Sequence, residues 1–333
     1  MKSYKLNHEA VEVCGLDIVD VENHVYRRLP EEETVLVNDI VHRRSATTAG
    51  GRVRFRTNSK KIKLEMKLET LTVDPFIPVC GSAGADILLG SGFASRYLGV
   101  LFPGDNYTNM NPTSEFWLDG TMQQVTINLP RNEIMSDFTI SIEDDAVILP
   151  PLPFTRKGKL CFYGSSITEG GCASRPGNAY IATVARWLDM DYVNFGFSGS
   201  ARGEDTMADI ICKRDFAAIV YDYDHNAPDP KHLEKTHEPF FKKIRAAHPD
   251  IPIVFMSKPD YPQFDGEKRR SIVMNTYRNA LEAGDKNIAF IDGSQLFGTF
   301  GREMCTVDGL HPTDLGFFRM AEKVYGALIG LGL

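Results

Sequence analysis

Four short loops carry the residues whose types and spacing could do chemistry. In Tyr163-Gly164-Ser165-Ser166-Ile167-Thr168-Glu169-Gly170, serines follow an apolar run, and a serine at a strand-to-helix turn can lift its hydroxyl above a sheet. A serine nucleophile needs a base to take its proton and a carboxylate to fix that base's tautomer and direction. Asp308 and His311, three apart in Val307-Asp308-Gly309-Leu310-His311-Pro312, can supply both. Two loops lie between. Asn194-Phe195-Gly196-Phe197-Ser198-Gly199-Ser200 is rich in small residues, and glycine lets a backbone NH approach a substrate closely. Tyr221-Asp222-Tyr223-Asp224-His225-Asn226 ends an apolar run, and the Asn226 amide can donate to a developing oxyanion without a change of charge. Taken singly, each loop is ordinary turn composition, and a lone loop histidine is more often just solvated. An ordered set ending in Asp-Gly-Leu-His-Pro is harder to dismiss.

Other chemistries compete for the same residues. Asp222 and Asp224 have the Asp-x-Asp spacing of Mg²⁺-dependent phosphate-transferring enzymes, whose hard carboxylate oxygens suit that ion. Their place after the third strand of the series and the absence of a following Thr or Val make this a coincidence. His225, His232 and His237 are rich in metal-ligand types, but Pro228 and Pro230 interrupt the helical register that would align them. No metal and no cofactor is expected. Trp117 and Tyr107 offer stacking surfaces for a non-catalytic carbohydrate-binding protein, although aromatics at alternating strand positions are usually core.

The elements that must position these loops are legible from periodicity. Up to residue 149 the chain alternates apolar and polar residues, as in Arg52–Thr57, Lys61–Glu69, Gln124–Leu129 and Phe138–Ile142. Ala49-Gly50-Gly51, Gly104-Asp105-Asn106 and Asp119-Gly120 punctuate the runs. An antiparallel, jelly-roll-like β-sandwich is expected over 1–149, and the prolines at 150, 151 and 153 mark a linker over 150–157. From 158 to 333 the period switches. Strands are expected at Lys159–Tyr163, Asp191–Phe195, Ala217–Tyr223, Ile251–Met256 and Asn287–Ile291, with helices at Tyr180–Leu188, Ala208–Cys212, Pro239–Ala247, Arg270–Ala283 and Leu315–Leu328 between and after them. Such alternation builds a parallel five-stranded sheet in a three-layer αβα domain, with ligands at the carboxyl ends of the strands. The four loops follow those ends.

Composition narrows the function classes. Of 333 residues, 37 are Lys or Arg and 44 are Asp or Glu, a net charge of −7 that argues against gripping nucleic acid or an anionic membrane. No apolar run is long enough to span a bilayer, and the N-terminus lacks the apolar core of a secretory signal, so a cytoplasmic location is expected. The six cysteines are scattered, which reads as free, structural thiols. Homo-oligomerisation stays open.

In order and spacing the four loops resemble the blocks of the SGNH/GDSL hydrolase superfamily, over residues 158 to about 330. The resemblance implies a flavodoxin-like αβα fold with Ser166 as nucleophile, His311 as base, Asp308 completing the triad, and an oxyanion hole of the Ser166 and Gly199 backbone NH groups with the Asn226 side chain. Tyr163–Gly177 and Gly196–Arg202 are similar to a bacterial GDSL-like group with an N-terminal sandwich typified by Gly-x-Asp-Leu-Tyr, partly matched by Gly15-Leu16-Asp17-Ile18-Val19. Two departures stand out. Ser165 replaces the Asp of Gly-Asp-Ser, and the third block reads Asp-His-Asn where Gly-x-Asn-Asp is usual. Ser165, His225 and Arg175 are candidate substrate contacts, His225 standing equally well as filling for the rim. What is implied is a serine hydrolase for a small-molecule ester, with acetyl on a sugar as the favoured acyl group. Alternatives are acyl transfer to an alcohol by the same acyl-enzyme, non-catalytic binding, and the Asp222/Asp224 phosphatase.

Overall fold

Alternation in the first part of the chain produces two facing antiparallel sheets. In the computed structural model, which describes residues 1–104, 107–259 and 265–333, the strand Lys61–Leu68 sends Ile62, Leu64, Met66 and Leu68 inward while its charged residues stay wetter. It lies between Met135–Ile142 and Thr113–Trp117, and Lys2–Lys5 adds to the far side of Met135–Ile142. The second sheet runs from Ile148–Leu149 through Arg52–Thr57, Gln123–Asn128 and Ala85–Leu89 to Arg96–Leu101, and Glu12–Cys14 also pairs with Arg52–Thr57. Val53, Phe55, Ile87, Val125 and Ile127 from this sheet meet Leu64, Phe138 and Ile140 from the first in one apolar core. This is a β-sandwich. Of the expected turn Gly104-Asp105-Asn106, the last two residues lie outside the described residues.

Ala85–Leu89 has no alternation to read, because both its faces are covered. Ala85, Ile87 and Leu89 face the sandwich core, whereas the buried Asp86 accepts a hydrogen bond of 2.7 Å from the Gly177 NH, far along the chain. Trp117 corrects an expectation. It ends an edge strand and is 68% exposed, with Lys61 Nζ 5.3 Å from its ring, so it is a surface residue and not core.

Residues 150 to 158 run without helix or strand into the parallel sheet. Its strands are β1 (Lys159–Gly164), β2 (Asp191–Gly196), β3 (Ala218–Asp222), β4 (Ile253–Met256) and β5 (Ile288–Ile291), in the order 2-1-3-4-5 of flavodoxin-like sheets. The helices are α1 (Ser166–Glu169), α2 (Tyr180–Leu188), α3 (Asp205–Cys212), α4 (Pro230–Ala247), α5 (Gly266–Glu282) and α6 (Asp314–Gly330). α2 and α6 bury their apolar stripes on one face of the sheet, and α3, α4 and α5 on the other, which completes the αβα layering. α4 begins nine residues before the expected start at Pro239. Pro230 takes its first position, where the missing NH costs nothing, and the Asp229 side chain caps it by accepting from the His232 NH at 2.8 Å.

The sandwich and the parallel sheet are joined by more than residues 150 to 158. Leu29 and Val41, from the N-terminal segment, are buried in the same apolar cluster as α3, α4 and the parallel sheet. Arg28, 1% exposed, donates to the carbonyls of Asn194 (3.2 Å) and Gly196 (2.6 Å) at the end of β2 and pairs with Glu169 at 3.2 Å. Arg52 pairs with Asp191 and lies over the Tyr192 ring.

Candidate active site

The first loop is shaped by a cap. At the end of β1, Ser165 is extended and its Oγ accepts from the Ile167 NH at 3.1 Å, so it starts α1 and leaves Ser166 as the first helical residue. Ser165 is fully buried, and its capping role is one that the Asp of Gly-Asp-Ser could also fill. Ser166 Oγ then stands 2.9 Å from His311 Nε2. Gly170 and Gly171, at φ +119° and +34°, let the chain leave α1 tightly: a Cβ on Gly171 would stand 3.4 Å from the Ser166 carbonyl oxygen and 3.7 Å from His311 Cδ2.

The last loop presents Asp308 and His311. Asp308 Oδ1 accepts from the backbone NH groups of Leu310 (2.9 Å) and His311 (2.7 Å), while Oδ2 lies 2.7 Å from His311 Nδ1. A carboxylate accepts, so Nδ1 carries the ring proton and Nε2 is left to accept from the Ser166 hydroxyl. Partial burial alone would raise the Asp308 carboxyl, but the bonds from the His311 ring and the two backbone NH groups outweigh it and hold the group below its ordinary range. Asp308 therefore stays ionised and orients the ring. Ser166, His311 and Asp308 form one hydrogen-bonded chain.

The middle loops sit beside it. Gly199, at φ +74°, is exposed, and its NH makes no hydrogen bond among the described residues; the same is true of the Ser166 NH. Asn226 Nδ2 donates to the Phe197 carbonyl at 3.1 Å, which ties the third loop to the second and leaves the amide's other hydrogen free. His225 has its Nε2 buried without a hydrogen-bond partner, and burial, with the nearby Lys258 and His311, pushes its ring well below the ordinary histidine range.

Ser166, Ser198, Asp308 and His311 line a cleft of about 350 Å³ together with Glu169, Gly171 and Cys172. Burial pushes the Cys172 thiol up to about 11, which keeps it from competing as a nucleophile. Neither Gly199, Asn226 nor His225 is among the lining residues. Arg175 is placed at the junction of the two parts, 3.7 Å from Asp86 and 3.9 Å above the Tyr97 ring, away from the cleft wall. The opposite wall, from Arg44, Thr72, Asp74, Phe76, Ile77, Arg131 and Asn132, belongs to the sandwich part of the chain. No motif marks those residues, which come from three separate segments.

The rival residues do not converge. Asp222 is buried, accepts from Thr168 Oγ1 and, at 3.4 Å, from the Tyr180 hydroxyl, and burial raises its carboxyl well above the ordinary range. Asp224 accepts from the Lys258 NH at 2.8 Å, and burial raises it to about 6. His232 and His237 share α4 because Pro230 starts that helix instead of breaking it, but five residues is about 1.4 turns, which sends them to different faces. His232 bonds the Arg202 carbonyl and His237 bonds Thr276, each at 2.8 Å. Among the described residues no three His, Cys, Asp or Glu are grouped to hold a metal ion, and no helix is long and apolar enough to cross a membrane. Tyr107 and Trp117 are exposed on the sandwich, outside the cleft.

Comparison with known proteins agrees with this geometry. The family model "GDSL-like Lipase/Acylhydrolase family" matches residues 157–328, and "N-terminus of Esterase_SGNH_hydro-type" matches 4–148. A candidate GDSL-like lipase from Bacteroides ovatus ATCC 8483 is 26% identical, with a TM-score of 0.85 over 99% of this chain and 97% of that one. A salicylyl-acyltransferase from a tetracycline biosynthetic pathway is 20% identical (TM-score 0.80, 100% and 98% covered). A family two carbohydrate esterase from Clostridium thermocellum, solved with cellohexaose, is 15% identical (TM-score 0.67, 96% and 99% covered). At those last two identities the likeness is one of fold. Curated protein sequences give no match.

Proposed function

The chain belongs to the GDSL-like lipase/acylhydrolase family, and on that premise we propose that it is a serine esterase that removes a small acyl group, acetyl by preference, from a carbohydrate through an acyl-enzyme on Ser166. The observation that carries the reading is the chain of hydrogen bonds from Ser166 to His311 (2.9 Å) to Asp308 (2.7 Å), opening on a cleft of small volume. His311 Nε2 takes the Ser166 proton as Oγ attacks the ester carbonyl. The oxyanion is met by the NH groups of Ser166 and Gly199, with the free hydrogen of the Asn226 amide as third donor. His311 then protonates the departing alcohol, and the acid is released by water activated on the same ring.

The carbohydrate esterase among the similar structures supports a sugar ester, and the acyltransferase supports the same covalent intermediate with another acceptor. Hydrolysis is favoured because the His311 and Asp308 side chains are 26% and 22% exposed, so water reaches the acyl-enzyme. In the same reading residues 1–149 and 158–333 are separate domains joined by the proline-rich 150–157 stretch, and no cofactor or metal takes part.

Hydrolysis of acetylated sugars, compared with longer acyl esters and a thioester, tests the proposal. Acetyl release should be fastest, should ignore chelators, and should fall by about 10⁴-fold or more in Ser166→Ala. Wild-type turnover retained in Ser166→Ala would refute it.

A further inference from the structure

Arg131 is placed where a cation is costly and is given no hydrogen-bond partner. It is 4% exposed, and its Nε and Nη2 are sealed from solvent without a hydrogen-bond partner. Nη1 has no partner among the described residues either. A buried charge is ordinarily paired, because removing it from water is expensive. The neighbouring carboxylates Glu169 and Glu133 favour its charge through their field but make no hydrogen bond to it. Glu169 spends Oε1 on Arg28 and Oε2 on the Ser198 NH, each at 3.2 Å, and Glu133 accepts from the Thr72 NH at 3.1 Å while its other oxygen is itself without a partner.

The group is close to the reacting atoms. A Cβ built on Gly170 would stand 2.8 Å from Arg131 Cδ, and one built on Gly171 would stand 3.7 Å from His311 Cδ2, so two consecutive glycines separate the arginine stem from the catalytic ring. Arg131 lines the cleft that holds Ser166. Arg44 lines it as well, half-buried and without an ion pair or side-chain hydrogen bond among the described residues. Arg131 Nη1, the nitrogen of that guanidinium that is not sealed, and the Arg44 guanidinium thus line the cleft of the nucleophile without hydrogen-bond partners.

We propose that Arg131, aided by Arg44, docks a carboxylate of the substrate, so that the preferred ester carries a negative charge near the scissile bond. This names the substrate class of the esterase proposed above and rests on that reading. A guanidinium presents paired donors that match a carboxylate. Asp74, Glu169 and Asp308 line the same cleft, which favours a singly charged carboxylate over a doubly charged phosphate. The charge can belong to a uronic-acid sugar, which keeps acetyl as the acyl group, or to the acyl chain, which keeps the esterase but replaces the acetyl preference by one for a short acid-bearing acyl group, and the assay separates the two.

The test compares wild type, Arg131→Gln and Arg131→Lys on two pairs of esters: 4-nitrophenyl acetate against mono-4-nitrophenyl glutarate, and an acetylated methyl glucoside against the acetylated methyl glucuronoside. In wild type one charged ester should exceed its neutral counterpart in kcat/KM by about 10- to 100-fold. Arg131→Gln should abolish that ratio and Arg131→Lys should keep part of it. A wild type with Ser166-dependent turnover and no charge preference, or an Arg131→Gln variant that keeps the preference, overturns the inference while leaving the esterase reading intact. Calorimetric titration of wild type with glutarate, glucuronate and glucose needs neither turnover nor a folded variant. Binding of at least one carboxylate but not of glucose supports the inference, and equal behaviour of all three overturns it. Absence of Ser166-dependent turnover of every ester is instead a failure of the esterase reading, and the titration then decides on Arg131.

Discussion

The two walls of the cleft are built on different principles. On the hydrolase side the catalytic side chains and those that brace them have partners: His311 bonds Asp308, Asp308 accepts from two backbone NH groups, Glu169 accepts from Arg28 and the Ser198 NH, and Asn226 donates to the Phe197 carbonyl. On the sandwich side Arg44 and Arg131 have none among the described residues. Partnered groups are held in one geometry, as the chemistry of acyl transfer requires. An unpartnered donor that is not sealed, as Arg131 Nη1 and the half-buried Arg44 are not, is free to meet what enters. The contrast assigns reaction to one wall and selection to the other.

Four substitutions break or sharpen the contrast. On the reactive wall, Asp308→Asn leaves the loop but loses the acceptor that fixes the His311 tautomer, so kcat should fall by about 10⁴-fold with an unchanged circular dichroism spectrum. Arg28 is the counter-case among the arginines, a buried cation whose Nη1 and Nη2 are both bonded and whose Nε alone lacks a partner. Arg28→Met removes the cation hydrogen-bonded to the buried Glu169, and denaturant unfolding should report a loss of about 3–5 kcal/mol, where a mere surface ion pair would cost under about 1. Asn226→Ala removes one oxyanion donor and should lower kcat by roughly 10²- to 10³-fold with little change in KM.

The smallest effect is expected below the site, at Asp224. Its carboxyl is raised from 3.8 to about 6 by burial, so the folded state favours the protonated form. The stability this contributes is present in full below the unfolded value of 3.8 and is lost as pH rises through about 6. Over that window the wild type should lose about 3 kcal/mol relative to Asp224→Asn, which cannot ionise. Unfolding free energies of the pair measured at pH 4 and pH 7 check this, and a difference independent of pH would show that Asp224 is not held neutral by its site.

Much of the hydrolase wall was legible in the sequence because its residues follow strand ends in contiguous loops. Asp308 and His311 are three apart for a physical reason: the turn that lets Asp308 cap its own backbone also brings the ring to the carboxylate. The sandwich wall offered no such signal. Arg44 lies in the last turn of a short helix, Asp74 in a loop and Arg131 just after a strand, so only the folded chain brings them to one cleft. Ala85–Leu89 escaped notice because burial on both faces erases the period, and Trp117 was misjudged because alternation does not say which strand lies at an edge. Leu29 and Val41 read as ordinary apolar residues of the first part, yet they complete the core of the second.

The central claim is that Ser166, and not its neighbour Ser165, is the nucleophile. Reaction with a serine-directed fluorophosphonate, followed by fragmentation of the labelled peptide, tests it most directly. The geometry predicts a single adduct on Ser166 with activity lost in proportion. An adduct on the buried, helix-capping Ser165, or an unlabelled protein that the reagent still inactivates, would contradict it.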